Sequence, residues 1–234
     1  VGSQRGVSRR MSLSVWEDPT PMSAYVIGVD TAEGLGHGDY SCAQVVDVAT
    51  GHQVAVWHGH IAPDEFASEI FNMALWYRDA LTCVESNNHG LTTITELRHL
   101  GHPNLFRKRA LNSVSSKVSM EFGWKTTRTS KPLMIDELGS ALRNNELVLF
   151  DDSTFAELRT FVRNERGSMS GSPHDDRVIA LALANQMRKY AFAPEFAPAV
   201  DDYWTIDWFN RQGSGAVVAP LQIGANTVRG PRRF

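Results

Sequence analysis

The chain of 234 residues has almost no cysteine, no long apolar run and little net charge of either sign. Cys42 and Cys83 are its only cysteines, and each sits in an apolar run. Two such residues are too few for a disulfide framework and read as buried thiols in a reducing compartment. No stretch reads as a signal peptide or approaches the ~20 apolar residues that cross a bilayer. The phosphate loop G-x-x-x-x-G-K-[ST] is missing, which excludes nucleotide binding of that kind. A net charge of −3 excludes a protein that is basic all over, but not one with a local basic groove. There is no internal repeat. What is present is a composition of 42% hydrophobic and 21% charged residues, enough to bury a core.

The stretch from Tyr25 to Gly34, YVIGVDTAEG, organises the rest. Tyr25–Val29 is a short apolar run of the kind that forms a buried central strand. Asp30 closes it and a glycine-rich loop follows, with Glu33 and Asp39 as further acids. A carboxylate at the end of a buried strand is poorly solvated, and burying it costs several kcal/mol unless it is paired. Asp30 therefore either caps a turn or holds a cation.

In chain order, residues 1–24 are polar and read as a linker or fragment boundary. Ser41–Val48 and Gln53–His60 are strand-like and make a meander with the first strand. Pro63-Asp64-Glu65 opens a helix whose Phe66, Ile70, Met73, Ala74 and Tyr77 share one face. Leu81–Glu85 is a fourth strand, again ending in an acid. Ser86–Gly90 reads as a polar turn, and Leu91–Leu100 as a helix with Ile94, Leu97 and Leu100 on one side. Leu105–Leu111 and Val118–Trp124 read as two more strands, Lys131–Leu142 as a helix and Leu147–Phe150 as a short strand. A helix capped by Asp151 or Asp152 carries Phe155, Leu158 and Val162. The clearest helix runs from Pro173 to about Tyr190. Residues 25–194 thus read as one domain, and 195–234, rich in Pro, Gly, aromatics and acids, as a tail in which Trp204 and Trp208 could form a docking patch.

Neighbouring parallel strands that both end in acids bring Asp30 and Glu85 together at one sheet edge, where ligands of open α/β sheets bind. Like charges at that distance repel, and a divalent cation is the usual reason to tolerate them. Oxygen donors without a Cys/His cluster suit Mg²⁺ or Mn²⁺ rather than Zn²⁺. The third acid is sought in SPHDDRVIALALA, Ser172–Ala184. Ser172 as N-cap and Pro173 at the first helical position give Asp175 a place in a capping box. Asp176 has no such duty and shares a stripe with Ile179, Ala180, Leu183 and Met187. The residue pattern thus favours Asp176 over Asp175.

Together VIGVDTAEGLGHGDYS, CVESNNHG, GWKTTRTSKP and HDDRVIALALA, spanning roughly Tyr25–Tyr190, resemble the C-terminal nuclease domain of the large terminase subunit of tailed bacteriophages, within the RNase H-like superfamily. The resemblance implies an α/β fold, a mixed central sheet in which a three-strand meander is followed by parallel strands, with helices on both faces. It implies a metal-dependent endonuclease that cuts concatemeric viral double-stranded DNA, working in the host cell cytoplasm during virion assembly. It further implies an ATPase half lying N-terminal to this chain, and the portal protein and small terminase subunit as partners. Carried over by motif, Asp30, Glu85 and the Asp175/Asp176 pair are the Mg²⁺ or Mn²⁺ site, and Asp39, in GDYS, matches a further acid in part of the family. Two metals about 4 Å apart would clamp the scissile phosphate. Asp30 would bridge them, and Glu85 and Asp176 would hold one each.

Arg107, Lys108, Arg109, Lys117, Lys125, Arg128 and Lys131 are concentrated after the fourth strand, with Thr126, Thr127, Thr129 and Ser130 interleaved. Taken alone this is a solvated hairpin; beside an acid site it reads as a phosphate-tracking groove without sequence readout. None of the eight histidines has a zinc spacing. His58 and His60 read as surface residues, and His89 and His174 each neighbour a proposed ligand. Two alternatives to an endonuclease stand open. One is an RNase H-like module that binds DNA or docks on the portal with little cleavage. The other is a sugar-kinase or actin-like ATPase, which should carry a second phosphate-binding glycine motif that this sequence lacks.

Overall fold

In the computed structural model of the chain, residues 8–10, 12–34, 38–111, 118–163, 169–171 and 174–191 are described. They belong to one compact unit, Val1–Ala193. The tail from residue 195, with Trp204 and Trp208, lies outside the described residues, as do Ser172 and Pro173.

Strand β1 (Ser8–Arg10) and strand β2 (Leu13–Val15) form a hairpin at the edge of a six-stranded sheet. Next come β3 (Tyr25–Asp30), β4 (Ser41–Asp47) and β5 (Gln53–Gly59), which form the expected meander, all antiparallel. Helix α1 (Pro63–Trp76) crosses to β6 (Leu81–Val84), which pairs with β3 in parallel. The strand order is β1-β2-β5-β4-β3-β6. Parallel pairing continues beyond β6 as single bridges, Leu105 to Thr82 and Trp124 to Glu85. Helix α2 (Asn88–His99) follows β6. A separate antiparallel hairpin comes next, β7 (Arg107–Leu111) with β8 (Val118–Phe122). The remaining elements are α3 (Ser130–Arg143), α4 (Asp152–Thr160), the two-residue strands β9 (Val162–Arg163) and β10 (Met169–Ser170), and α5 (Asp176–Met187).

The central strand dictates the layering through its period of two. Tyr25, Ile27 and Val29 point to one face and pack with Phe66 and Ile70 of α1 and Leu97 of α2. Val26 points to the other, where α3 and α5 supply Met134, Leu138, Leu181 and Leu183. Gly28 lies on that second face and decides how close α5 comes. A Cβ there would stand 2.0 Å from the Ala180 carbonyl oxygen and 2.3 Å from the Ala184 amide nitrogen. Helix backbone therefore rests directly on strand backbone, with alanines at i and i+4 making room. Gly28→Ala is expected to force α5 off the sheet, at a cost of about 1–3 kcal/mol or more. Thermal unfolding should show it as a fall of roughly 2–4 °C per kcal/mol.

Several expectations need correction. Part of the stretch read as a linker is structured: β2 pairs with β5, and the amides of Trp16 and Glu17 donate to the Val54 carbonyl. The alternating Leu13-Ser14-Val15 was too short to stand out as a strand. Ser86–Gly90 is not all turn, because Asn87 accepts a hydrogen bond from the Gly90 amide at 2.7 Å and starts α2 at Asn88. Leu100 is 37% exposed and stands outside the buried stripe of Ile94 and Leu97. Leu147–Phe150 is no strand; it makes one parallel bridge, His52 to Val148. Asp151 caps α4 as expected, yet Phe155 and Val162 are exposed, and the buried residue of that helix is Thr154. Helix α5 starts at Asp176, three residues later than the reading from Pro173.

Candidate metal centre

Register alone brings the first two acids together. Val29 lies beside Val84 in the parallel pair, and the Glu85 amide donates to the Val29 carbonyl at 2.8 Å, so Asp30 and Glu85 emerge side by side. Asp30 also faces Cys42 on β4, and Cys42 faces His58 on β5, so one row crosses the sheet on the side covered by α5. Burial first, then the charge and hydrogen bond of Glu85, then the charges of Asp176 and Asp175 hold the Asp30 carboxyl well above the usual carboxylate range. Glu85 is steadied by Asn87, whose Nδ2 donates to it at 3.2 Å.

The third acid comes from the first turn of α5. Asp176 is 5% exposed, and its Oδ2 accepts the Tyr40 amide at 3.3 Å. Burial pushes its carboxyl up to about 6 against that hydrogen bond, helped by the charges of Asp39 and Asp175. Asp175 stands at the N-cap position but makes no capping bond. Its carboxylate takes the Lys131 ammonium at 3.1 Å instead, so the capping-box role expected for it is replaced by an ion pair. The structure places Asp39 beside His174, 3.6 Å away, on the Asp176 side of the site and largely exposed.

The donor set consists of carboxylate oxygens, the kind that hard divalent cations prefer. Asp30 is a poorly solvated acid among like charges, which a cation would relieve. The residues fit such an ion in kind. Among the described residues no three His, Cys, Asp or Glu side chains converge as a finished cage. The assembled part is the Asp30–Glu85 pair, with Asp176 close enough to be felt electrostatically.

Histidine packing beside Asp176 was not read from the sequence. Tyr40 stacks on His58 and His60 at centroid distances of 4.5 and 4.0 Å and meets His174 edge-on at 5.2 Å. His58 is thus half-buried rather than freely solvated: burial, then Arg177 and the two neighbouring histidines, lower its imidazole to about 3 and keep it neutral. The signal was the antiparallel register, which sets Tyr40 one step beyond the Ser41–Gly59 pair and so opposite His60.

The basic segment lies next to Glu85. The Trp124 amide donates to the Val84 carbonyl and the Ser86 amide to the Trp124 carbonyl, which ties the base of the β7–β8 hairpin to the end of β6. Arg107, Lys108, Lys125 and Arg128 are exposed there, Lys108 above the Trp124 ring at 5.7 Å. Lys131 is brought to the acids themselves through Asp175. The side chain of Arg109 and all of Lys117 lie outside the described residues. Two of the hydroxyls read as phosphate donors are used locally: the Thr127 amide donates to Ser130 Oγ at 2.8 Å and the Ser130 amide to Thr127 Oγ1 at 3.0 Å, at the start of α3.

A meander with one parallel strand beside it, helices on both faces and acids at the strand ends defines an RNase H-like fold. No family model matches the chain, and no curated protein sequence does. Solved structures do. The large terminase nuclease from thermophilic phage G20c with bound magnesium superposes with a TM-score of 0.63 at 22% identity, covering 77% of this chain and 89% of that one. That nuclease has also been solved with cobalt and with zinc bound. The large terminase nuclease domain of Thermus phage P74-26 gives 0.61 at 23% identity, covering 77% and 88%. The large terminase nuclease domain of P22 gives 0.50 at 14%, covering 76% and 90%. This chain has the fold of the phage large terminase nuclease domains. Among the described residues no helix is long and apolar enough to cross a membrane.

Proposed function

We propose that the chain is a divalent-metal-dependent DNA endonuclease, the nuclease domain of a viral DNA-packaging terminase that cuts concatemeric double-stranded DNA. The observation that carries this reading is the Asp30–Glu85 carboxyl pair at the ends of adjacent parallel strands, under the N-terminus of a helix that opens with Asp176. Asp30, Glu85 and Asp176 would hold Mg²⁺ or Mn²⁺, with Asp175 and Asp39 at the margin. Bound there, two such ions would activate a water for in-line attack on the phosphodiester and stabilise the leaving oxygen. The protein's own share is positional. Asn87 orients Glu85, the Tyr40 amide orients Asp176, and Lys131 neutralises Asp175 beside the phosphate path. Arg107, Lys108, Lys125 and Arg128, with Arg109 and Lys117 on the same hairpin in sequence, would track the DNA backbone. In this reading the partners are an N-terminal ATPase domain, the portal protein and the small terminase subunit, in the host cell cytoplasm during virion assembly.

A second reading has the support of one observation: the acids do not form a closed cage among the described residues. It is a DNA-binding or portal-docking module with little cleavage of its own. Incubating the chain with plasmid and Mn²⁺ or Mg²⁺, with and without EDTA, separates the two. Cutting that EDTA abolishes is expected. Plasmid binding without cutting in either metal would leave the second reading standing. Binding itself should fall steeply with salt and hardly depend on sequence, with the salt slope reduced by about one for each phosphate-contacting cation removed, as in Lys108→Gln or Arg128→Gln.

A further inference from the structure

Helix α5 begins with the third proposed ligand, so whatever fixes its first turn also fixes that ligand. The amides of that turn are not satisfied from within the segment, since Asp175 makes no capping bond. Two of them, those of Arg177 and Val178, are satisfied by Glu157 of α4. One Glu157 oxygen, Oε2, accepts the Arg177 amide at 3.0 Å, and the carboxylate also accepts the Val178 amide. The other, Oε1, is 3.2 Å from Arg177 Nε. The Arg177 guanidinium leans in turn on Asp151, 3.8 Å away, the residue that caps α4.

Behind this clamp stands a fully buried polar chain. Gln53 Oε1 accepts the amides of Phe150 and Asp151, both at 2.8 Å. Gln53 Nε2 donates to Gln44 Oε1 at 2.7 Å. Gln44 Nε2 donates to Thr154 Oγ1 at 3.1 Å and to the Arg177 carbonyl at 3.4 Å. Gln44, Gln53 and Thr154 are each 0% exposed. A network buried this deeply and bonded at every end specifies one arrangement of the groups it joins. Here it joins β4, β5, α4 and the residue next to Asp176.

We infer that Glu157 is a positioning residue for Asp176: by capping α5 from a neighbouring helix it sets the angle and register at which the Asp176 carboxylate meets Asp30 and Glu85. The inference rests on the reading of Asp176 as a metal ligand. Outer groups that orient a ligand typically change metal affinity by about 10- to 100-fold when removed. A cap that served only stability would leave affinity alone.

Two conservative variants of the full chain separate reach from charge. Glu157→Asp keeps the charge but draws the carboxylate one methylene back from the amides. Glu157→Gln keeps the reach but loses the charge. Mn²⁺ affinity is measured by titration calorimetry well below the unfolding temperature, with melting measured separately and Asp176→Asn run in parallel. Glu157→Asp is expected to weaken Mn²⁺ binding by about tenfold or more, and Glu157→Gln, whose carbonyl oxygen can still take the Arg177 amide while its NH2 loses the contact with Arg177 Nε, by less than Glu157→Asp. Weakened binding in Asp176→Asn together with unchanged binding in Glu157→Asp overturns the positioning role alone. Unchanged binding in Asp176→Asn overturns the ligand assignment, and the inference with it.

Discussion

Asp30→Asn is expected to abolish metal-dependent cleavage while raising the melting temperature of the metal-free protein. Asp30 is half-buried beside Glu85 and within reach of two further acids, and burial and those charges raise its carboxyl well above the usual range. An acid with a raised folded-state value contributes stability that is fully present below its unfolded value and is lost as pH rises through the folded one. Asp176 acts in the same direction, with a window from 3.8 to about 6. The metal-free protein should therefore lose stability as pH climbs from about 4 to about 6 through Asp176, and further as it climbs through the raised Asp30, the reverse of acid denaturation driven by salt-bridged carboxylates. The Asn variant lacks the Asp30 part of that slope. Its advantage should grow with pH, by roughly 2–4 °C for each kcal/mol of repulsion relieved, and Mn²⁺ should stabilise it less than the unsubstituted chain. Melting curves at several pH values, with and without Mn²⁺, check this. A variant that cut plasmid at the unsubstituted rate would remove Asp30 from the site.

The adjacent aspartates are expected to part company. Asp176→Asn removes a buried carboxylate whose folded form is strained by its own charge, so melting should hold or rise while cutting disappears. Asp175→Asn removes the partner of Lys131 in a pair whose two side chains are 27% and 29% exposed. Pairs at that level of exposure contribute about 0–1 kcal/mol, so stability should fall slightly and cleavage be partly kept. Freeing Lys131 from Asp175 also adds a cation beside the phosphate path, so DNA affinity should hold or rise. The two variants, melted and assayed on plasmid side by side, decide the matter. A dead but stable Asp175→Asn with an active Asp176→Asn would exchange their roles.

What was legible in the sequence followed from short-range periodicity. Tyr25–Asp30 and Leu81–Glu85 each showed an apolar run ending in an acid, and two parallel strands of that form set Asp30 beside Glu85 without further information. The face of α1 was legible for the same reason. The start of α5 was not. Ser172 and Pro173 have the local form of a helix start, but the helix opens at Asp176 and its cap arrives from Glu157, 20 residues earlier on another helix. No local pattern encodes a cap supplied from outside the segment. The Tyr40 amide that holds Asp176 is 136 residues away in sequence and belongs to the backbone, which carries no residue signature at all. Burial does not by itself decide the phase of that helix, because Val178, Leu181 and Ala182 are buried as fully as Ile179, Ala180 and Leu183.

The contact between α5 and Gly28 also bears on the order in which the chain acquires its chemistry. Asp30 and Glu85 meet once β3 and β6 pair, a contact that spans β4, β5 and α1. Asp176 joins them only when a helix from the far end of the domain settles on the central strand, and contacts of such long sequence separation form slowly. A chain whose last helix has not docked therefore holds two of the three proposed ligands, Asp30 and Glu85, without Asp176. In the proposed reading the site is complete only once that helix is in place, so metal binding would report on the docking of α5.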